Sequence, residues 1–158
     1  GLLPLRAEGA PGQAFQAIAD QCAERKIGSL ARLVIHLEGS GKAGAADARA
    51  LGLAVPQLGK GEFAVNQQFV AEFGDRESLS LTFTGGWERY KRVKPLTDAF
   101  GQEATKLHVV TTLTASFPEG LDTAGDQFAT MKDVFTALNL GKLTITATPA
   151  GDGTEGEG

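Results

Sequence analysis

GGWERYKRVKPL, residues 85–96, sets Arg89, Lys91, Arg92 and Lys94 beside Trp87 and Tyr90, in a 158-residue chain whose formal net charge is −4. Cations of this kind suit phosphate oxygens, and an aromatic ring among them suits stacking on a base. On a helix, Trp87, Tyr90, Val93 and Lys94 fall to one side, while Arg89, Lys91 and Arg92 fan around the exterior. Glu88 and Arg92 stand as i,i+4 partners, a pair worth only about 0.3–0.5 kcal/mol. Trp87, Arg89, Tyr90, Lys91, Arg92 and Lys94 are therefore the candidate anion- or partner-binding residues. An acidic total lacks the broad basic surface of most nucleic-acid domains. The first reading is thus a solvated helix face, and a nucleic-acid site is the alternative. Further cations converging on this helix in space, Arg25 and Lys26 for instance, would favour the alternative.

Other chemistries find less support. EGSGKAG, residues 38–44, has a P-loop flavour, but His36 stands where the first Gly belongs and Ala43 where the Mg²⁺-binding hydroxyl belongs. It reads as a flexible loop. His36 and His108 both take the polar parity of strand-like segments, so both should look out from one sheet face. Zinc asks for three or four ligands, and no third is spaced to join them. The single cysteine, Cys22, shares a helical face with Ile18 and Ala19 and reads as a small buried apolar residue. No Gly-x-Ser-x-Gly occurs, and the carboxylates are scattered, so no acid–base pair stands out. No catalytic, cofactor-binding or metal-ligating set emerges. The reading leans away from an enzyme.

The elements that would position these residues are legible from periodicity. Leu33, Ile35 and Leu37 alternate with Val34, His36 and Glu38. Phe63, Val65, Phe69 and Phe73 share one parity, with Asn66 and Gln68 on the other. Leu79, Leu81 and Phe83 alternate with Ser80, Thr82 and Thr84. Leu107, Val109, Leu113 and Phe117 alternate with mostly polar residues, as do Leu143 and Ile145. Period-2 patterning means strands with one buried and one wetter face, which favours antiparallel or mixed pairing. Helical stripes occupy Gln13–Lys26, stopping at Gly28, and Asp126–Leu138, stopping before Gly141. Trp87–Glu103 reads as a helix kinked or broken after Val93 by Pro95. A short helix at Ala45–Leu51 is expected, and residues 52–62 read as a connecting loop.

Strand–loop–helix–strand recurs at residues 3–38, 79–115 and 111–148. The fold class is α+β: about six mostly antiparallel or mixed strands, with three main helices on one face. Residues 1–149 form a single domain, with 1–60 and 61–149 as possible sub-lobes, and the Gly- and acid-rich residues 150–158 form a disordered tail. No apolar run approaches the ~20 residues that cross a bilayer, and no signal peptide is visible. One cysteine fits a reducing, cytoplasmic setting. The chain opens on Gly1 rather than Met, which suggests a piece of a longer polypeptide. The polar sheet face, rich in Thr, could meet a partner domain.

The pattern GGWERYKRVKPLTDAF…KLHVVTTLTA resembles accessory modules near the C-termini of large bacterial AAA+-type ATP-binding proteins, which couple a Trp–Tyr helix to a Leu-rich strand. FPEGLDTAGDQFATMKDVFTALNLGKLTITA repeats the layout with Phe128 in place of the Trp. The resemblance covers residues 79–148 and implies that any ATPase machinery lies elsewhere in the parent. The expected function is that of a non-catalytic accessory domain docking to other domains of its parent or to a protein partner. A nucleic-acid-binding module on residues 87–94 is the alternative. A small-ligand binder or enzyme is the third reading, and would need a concave pocket lined by polar sheet residues.

Overall fold

The computed structural model describes residues 3–74 and 78–151. The elements run β1 (Leu5–Gly9), α1 (Pro11–Glu24), β2 (Leu30–Ser40), α2 (Gly41–Ala54), β3 (Glu62–Glu72), β4 (Ser78–Gly85), α3 (Trp87–Glu103), β5 (Lys106–Leu121), α4 (Asp126–Ala137) and β6 (Leu143–Pro149). The strands form one sheet in the order β1-β6-β2-β5-β3-β4, with every neighbouring pair antiparallel. This is the α+β architecture that the alternation implies.

Each helix joins two strands that flank a third. α1 carries the chain from β1 to β2 across β6, α2 from β2 to β3 across β5, α3 from β4 to β5 across β3, and α4 from β5 to β6 across β2. Strands separated by one antiparallel neighbour are parallel to each other, so the right-handed rule for parallel connections applies to each crossing. Two crossings run one way with strands up and two run back with strands down. A common hand therefore sets all four helices on the same face. Burial agrees: Leu33, Ile35, Leu113, Val65 and Ile145 are fully buried beneath the helices, and the alternate positions Val34, His36, Thr112, Thr114 and Thr146 are half-exposed.

The three strand–helix–strand units expected from sequence are β1-α1-β2, β4-α3-β5 and β5-α4-β6. A fourth, β2-α2-β3, was hidden. Residues 38–44 are not a flexible loop: β2 ends at Ser40 and α2 starts at Gly41, and the helix runs to Ala54 rather than ending at Leu51. The glycines explain the turn. A Cβ on Gly44 would lie 2.7 Å from the Gly39 carbonyl oxygen, so two backbones meet there with no room for a side chain.

Helix ends depart from expectation in a consistent way. α1 closes before Gly28, with Lys26 in the left-handed region (φ 57°), the Ile27 amide donating to the Cys22 carbonyl at 2.8 Å and the Lys26 amide to Ala23 at 3.3 Å. That is a Schellman motif made without glycine. α4 also closes on a left-handed residue, Asn139 (φ 55°), whose amide donates to the Thr136 carbonyl at 3.3 Å, ahead of Gly141. α3 continues through Pro95 to Glu103 instead of breaking after Val93. The proline leaves the Lys91 carbonyl without its intrahelical donor, and both residues are exposed, so water can take that place.

The main core runs from α1, α4 and the β1–β6–β2 side across to Leu51, Val65, Phe83 and Tyr90, with Phe15 stacked on Phe135 at 5.1 Å and edge-on to Phe128 at 5.7 Å. Cys22 and Met131 belong to it, as their helical spacing implies. A smaller cluster of Ala48, Phe69, Ala71, Leu107 and Val109 lies under α2 and α3. Between the two clusters runs a polar pair in register, Thr111 and Gln67, both buried.

Candidate functional site

α3 distributes the six candidate residues around its surface. Tyr90 is buried, 1% exposed, and packs edge-on against Phe83 with ring centroids 5.8 Å apart. Trp87 is half-buried against the core and stacks on Tyr90 at 6.0 Å. Neither ring is free to receive a base. Lys91 pairs with Glu88 at 3.2 Å, so the expected Glu88–Arg92 pair gives way to the i,i+3 alternative. Lys94 is half-buried and holds Asp98 at 2.7 Å. Arg89 and Arg92 are exposed and have no ion-pair partner among the described residues. Arg25 and Lys26 do not join them: α1 packs on β1 and β6, at the opposite end of the sheet from α3 on β3 and β4.

The uncovered face of the sheet carries a row that crosses all six strands: Glu8, Thr144, His36, Thr112, Asn66 and Thr84. His36 Nδ1 lies 3.2 Å from Thr112 Oγ1, and Asn66 Nδ2 donates to Thr84 Oγ1 at 2.6 Å. Both histidines face outward as the alternation predicts. Glu38 lies between them, its oxygens 3.3 Å from His108 Nε2 and 3.8 Å from His36 Nε2. All three are about half exposed, so these contacts contribute little. No cluster able to hold a metal is present among the described residues. Among the described residues no aromatic side chain stands on this face; the sheet's phenylalanines share the helix side.

The two sheet edges differ. β1 is five residues long and carries Arg6 and Glu8, both devices that discourage pairing. β4 is eight residues long, SLSLTFTG, with neither charge nor proline, and among the described residues pairs only with β3. β6 is interior, held between β1 and β2. Arg89 sits at the end of the β4 edge: its Cβ and Cδ would lie 3.2 Å from a Cβ placed on Gly85.

Sequence reasoning missed a cavity of about 420 Å³ between α2 and α3, above β3. Ala45, Ala46 and Gly101 form its small-residue walls, Phe69 and Tyr90 its apolar faces, and Lys42, Arg49 and Asp98 its charged lining. Gln67 lines it while fully buried. Its Nε2 donates to the Ala48 carbonyl at 2.8 Å, which fixes the amide orientation, and its Oε1 has no hydrogen-bond partner. Burial pushes the Tyr90 phenol up to about 12; the adjacent Gln67 amide opposes the rise, Asp98 adds to it, and Arg49 opposes it. Asp98 holds Lys94 and also lies 3.7 Å from Arg49. The cations that converge on α3 are thus Lys42 and Arg49. One signal for them was available: Gln67 occupies the apolar parity of β3, between Val65 and Phe69.

No family model, no curated protein and no solved structure matches this chain.

Proposed function

We propose that this chain is a non-catalytic interaction domain of a larger bacterial protein, and that it docks by accepting a partner β-strand along β4. The observation that carries this reading is the unprotected edge: eight residues without charge or proline, bonded, among the described residues, to a neighbour on one side only. An edge of that length presents a row of unpaired amides and carbonyls, and main-chain bonding to an incoming strand supplies affinity. Arg89, beside the β4 terminus and without an ion-pair partner among the described residues, suits an incoming strand with a carboxylate at that end. The resemblance of residues 79–148 to accessory modules of AAA+-type proteins supports another segment of an ATP-dependent parent as the source of that strand. Docking there leaves the polar sheet face wet.

The test is a calorimetric titration of this chain with the remainder of its parent polypeptide, repeated with Ser80→Lys/Thr82→Lys. Both residues are exposed, so the double variant should fold normally while its charges oppose strand addition. Docking weakened about tenfold or more in the variant supports the reading. Equal affinity for the two proteins refutes it.

A further inference from the structure

We propose that the cavity between α2 and α3 is a binding site for a small planar ring bearing a hydrogen-bond donor at one end and a carboxylate at the other. Its volume of about 420 Å³ lies within the range of ligand pockets, roughly 300–1,000 Å³. Its composition follows the usual plan of such sites, apolar walls with a few fixed polar groups. Each part selects one feature of the ligand.

The buried end selects the donor. Gln67 is wholly buried, and its amide cannot flip, because only Nε2 can donate to the Ala48 carbonyl. Oε1 is therefore a buried acceptor, on a residue that lines the cavity, with no hydrogen-bond partner among the described residues. Unpaired buried acceptors are rare and unfavourable, and a ligand O–H or N–H would satisfy this one. The walls select the flat body. Phe69 and Tyr90 offer ring surfaces, and Ala45, Ala46 and Gly101 keep the facing helices bare.

The charged lining selects the anion. Asp98 is already engaged by Lys94 at 2.7 Å and by Arg49 at 3.7 Å. Lys42 has no ion-pair partner among the described residues, and Arg49 keeps guanidinium donors beyond its single long contact. Together they leave an excess of positive charge facing the cavity, on a chain that is acidic overall. A carboxylate matches the Arg49 fork. Neither helix supplies this arrangement alone, and the sheet contributes only Gln67 and Phe69.

The experiment is a ¹H–¹⁵N titration of the whole chain with three probes, followed at the Gln67 side-chain amide and the Gly101 backbone amide. 4-Hydroxybenzoate carries the ring, the donor and the carboxylate; benzoate lacks the donor; 4-methylphenol lacks the anion. The expected result is saturable binding of 4-hydroxybenzoate, with the other two about tenfold weaker or more. Arg49→Gln, at a half-exposed position, should weaken 4-hydroxybenzoate about tenfold and leave 4-methylphenol unchanged. Equal binding of all three probes overturns the proposal. So does the absence of saturable shifts up to about 10 mM 4-hydroxybenzoate.

Discussion

Two glycines on facing helices should answer the same substitution with opposite signs. Gly52 lies inside α2 and Gly101 inside α3. In an open helix interior, Gly→Ala stabilises by about 0.8–1 kcal/mol because the unfolded chain loses freedom and the helix gains a better former. At Gly101 a new Cβ would sit 3.5 Å from Leu107 Cδ2 and 3.6 Å from Ala45 Cβ, ordinary van der Waals distances. Gly101→Ala should therefore keep most of that gain. At Gly52 the new Cβ would fall 2.6 Å from both Cε2 and the hydroxyl of Tyr90, a buried ring wedged between the helices. Overpacking of this kind costs about 1–3 kcal/mol, which outweighs the helix gain. The net expectation is a loss of up to about 2 kcal/mol for Gly52→Ala and a gain of about 0.5–1 kcal/mol for Gly101→Ala. For a chain of this size each kcal/mol moves Tm by about 2–4 °C, so calorimetry should separate the variants on either side of the parent. Tyr90→Leu should remove much of the penalty at Gly52, and a double-mutant cycle would report that coupling. If Gly52→Ala gains stability as Gly101→Ala does, α2 does not pack on α3 through Tyr90.

Further expectations concern the same layer and the cationic run. Tyr90 is the only tyrosine, so phenolate absorbance reports it alone; the native midpoint should fall near the raised value of about 12 and return toward 10 on unfolding. Because the folded pKa is the higher one, the associated stability is complete below pH 10 and is lost as pH rises from there toward 12; a native midpoint at 10 would contradict the burial of the ring. Pro95→Ala restores the amide that the Lys91 carbonyl lacks and should raise stability by about 1–3 kcal/mol in chemical denaturation, with an unchanged value counting against an uninterrupted α3. Fluorescence anisotropy with short DNA and RNA at about 50 mM salt should show no binding that is lost when Arg89, Lys91, Arg92 and Lys94 are changed to Ala. Two of those cations are already paired and both rings are packed, so salt-sensitive binding lost in the variant would reinstate a phosphate site on α3.

Most of the fold is legible because it is written in short-range periodicity. Strict alternation from Leu107 to Phe117 marks a strand buried on one side, and the stripe Phe128, Met131, Phe135 marks a helix on a core. α2 was legible only as a short helix at Ala45–Leu51, because its buried positions are mostly Gly44, Ala48, Gly52 and Ala54, which look like loop composition and carry little apolar contrast. The glycines are there for close approach to Gly39 and Tyr90, a reason that exists only in three dimensions. Strand order was similarly hidden: nothing local in LTITATP says that β6 inserts between β1 and β2. The cationic run drew attention through its composition, yet its rings are packed and two of its cations are paired within the helix. The cavity depends on Gln67, Arg49 and Asp98 meeting from three elements, and Gln67 at an inward position was its one local trace.

Hydrogen exchange along β4 tests the docking reading most directly. In the isolated chain at low concentration, the amides of residues 78–85 that point away from β3 should exchange much faster than those bonded to it, and faster than the interior strands. Adding the remainder of the parent polypeptide should slow that outer set selectively, with β1 and the polar sheet face unchanged. Protection that appears on the sheet face or on α3 while β4 stays fast would contradict strand addition and place the dock elsewhere.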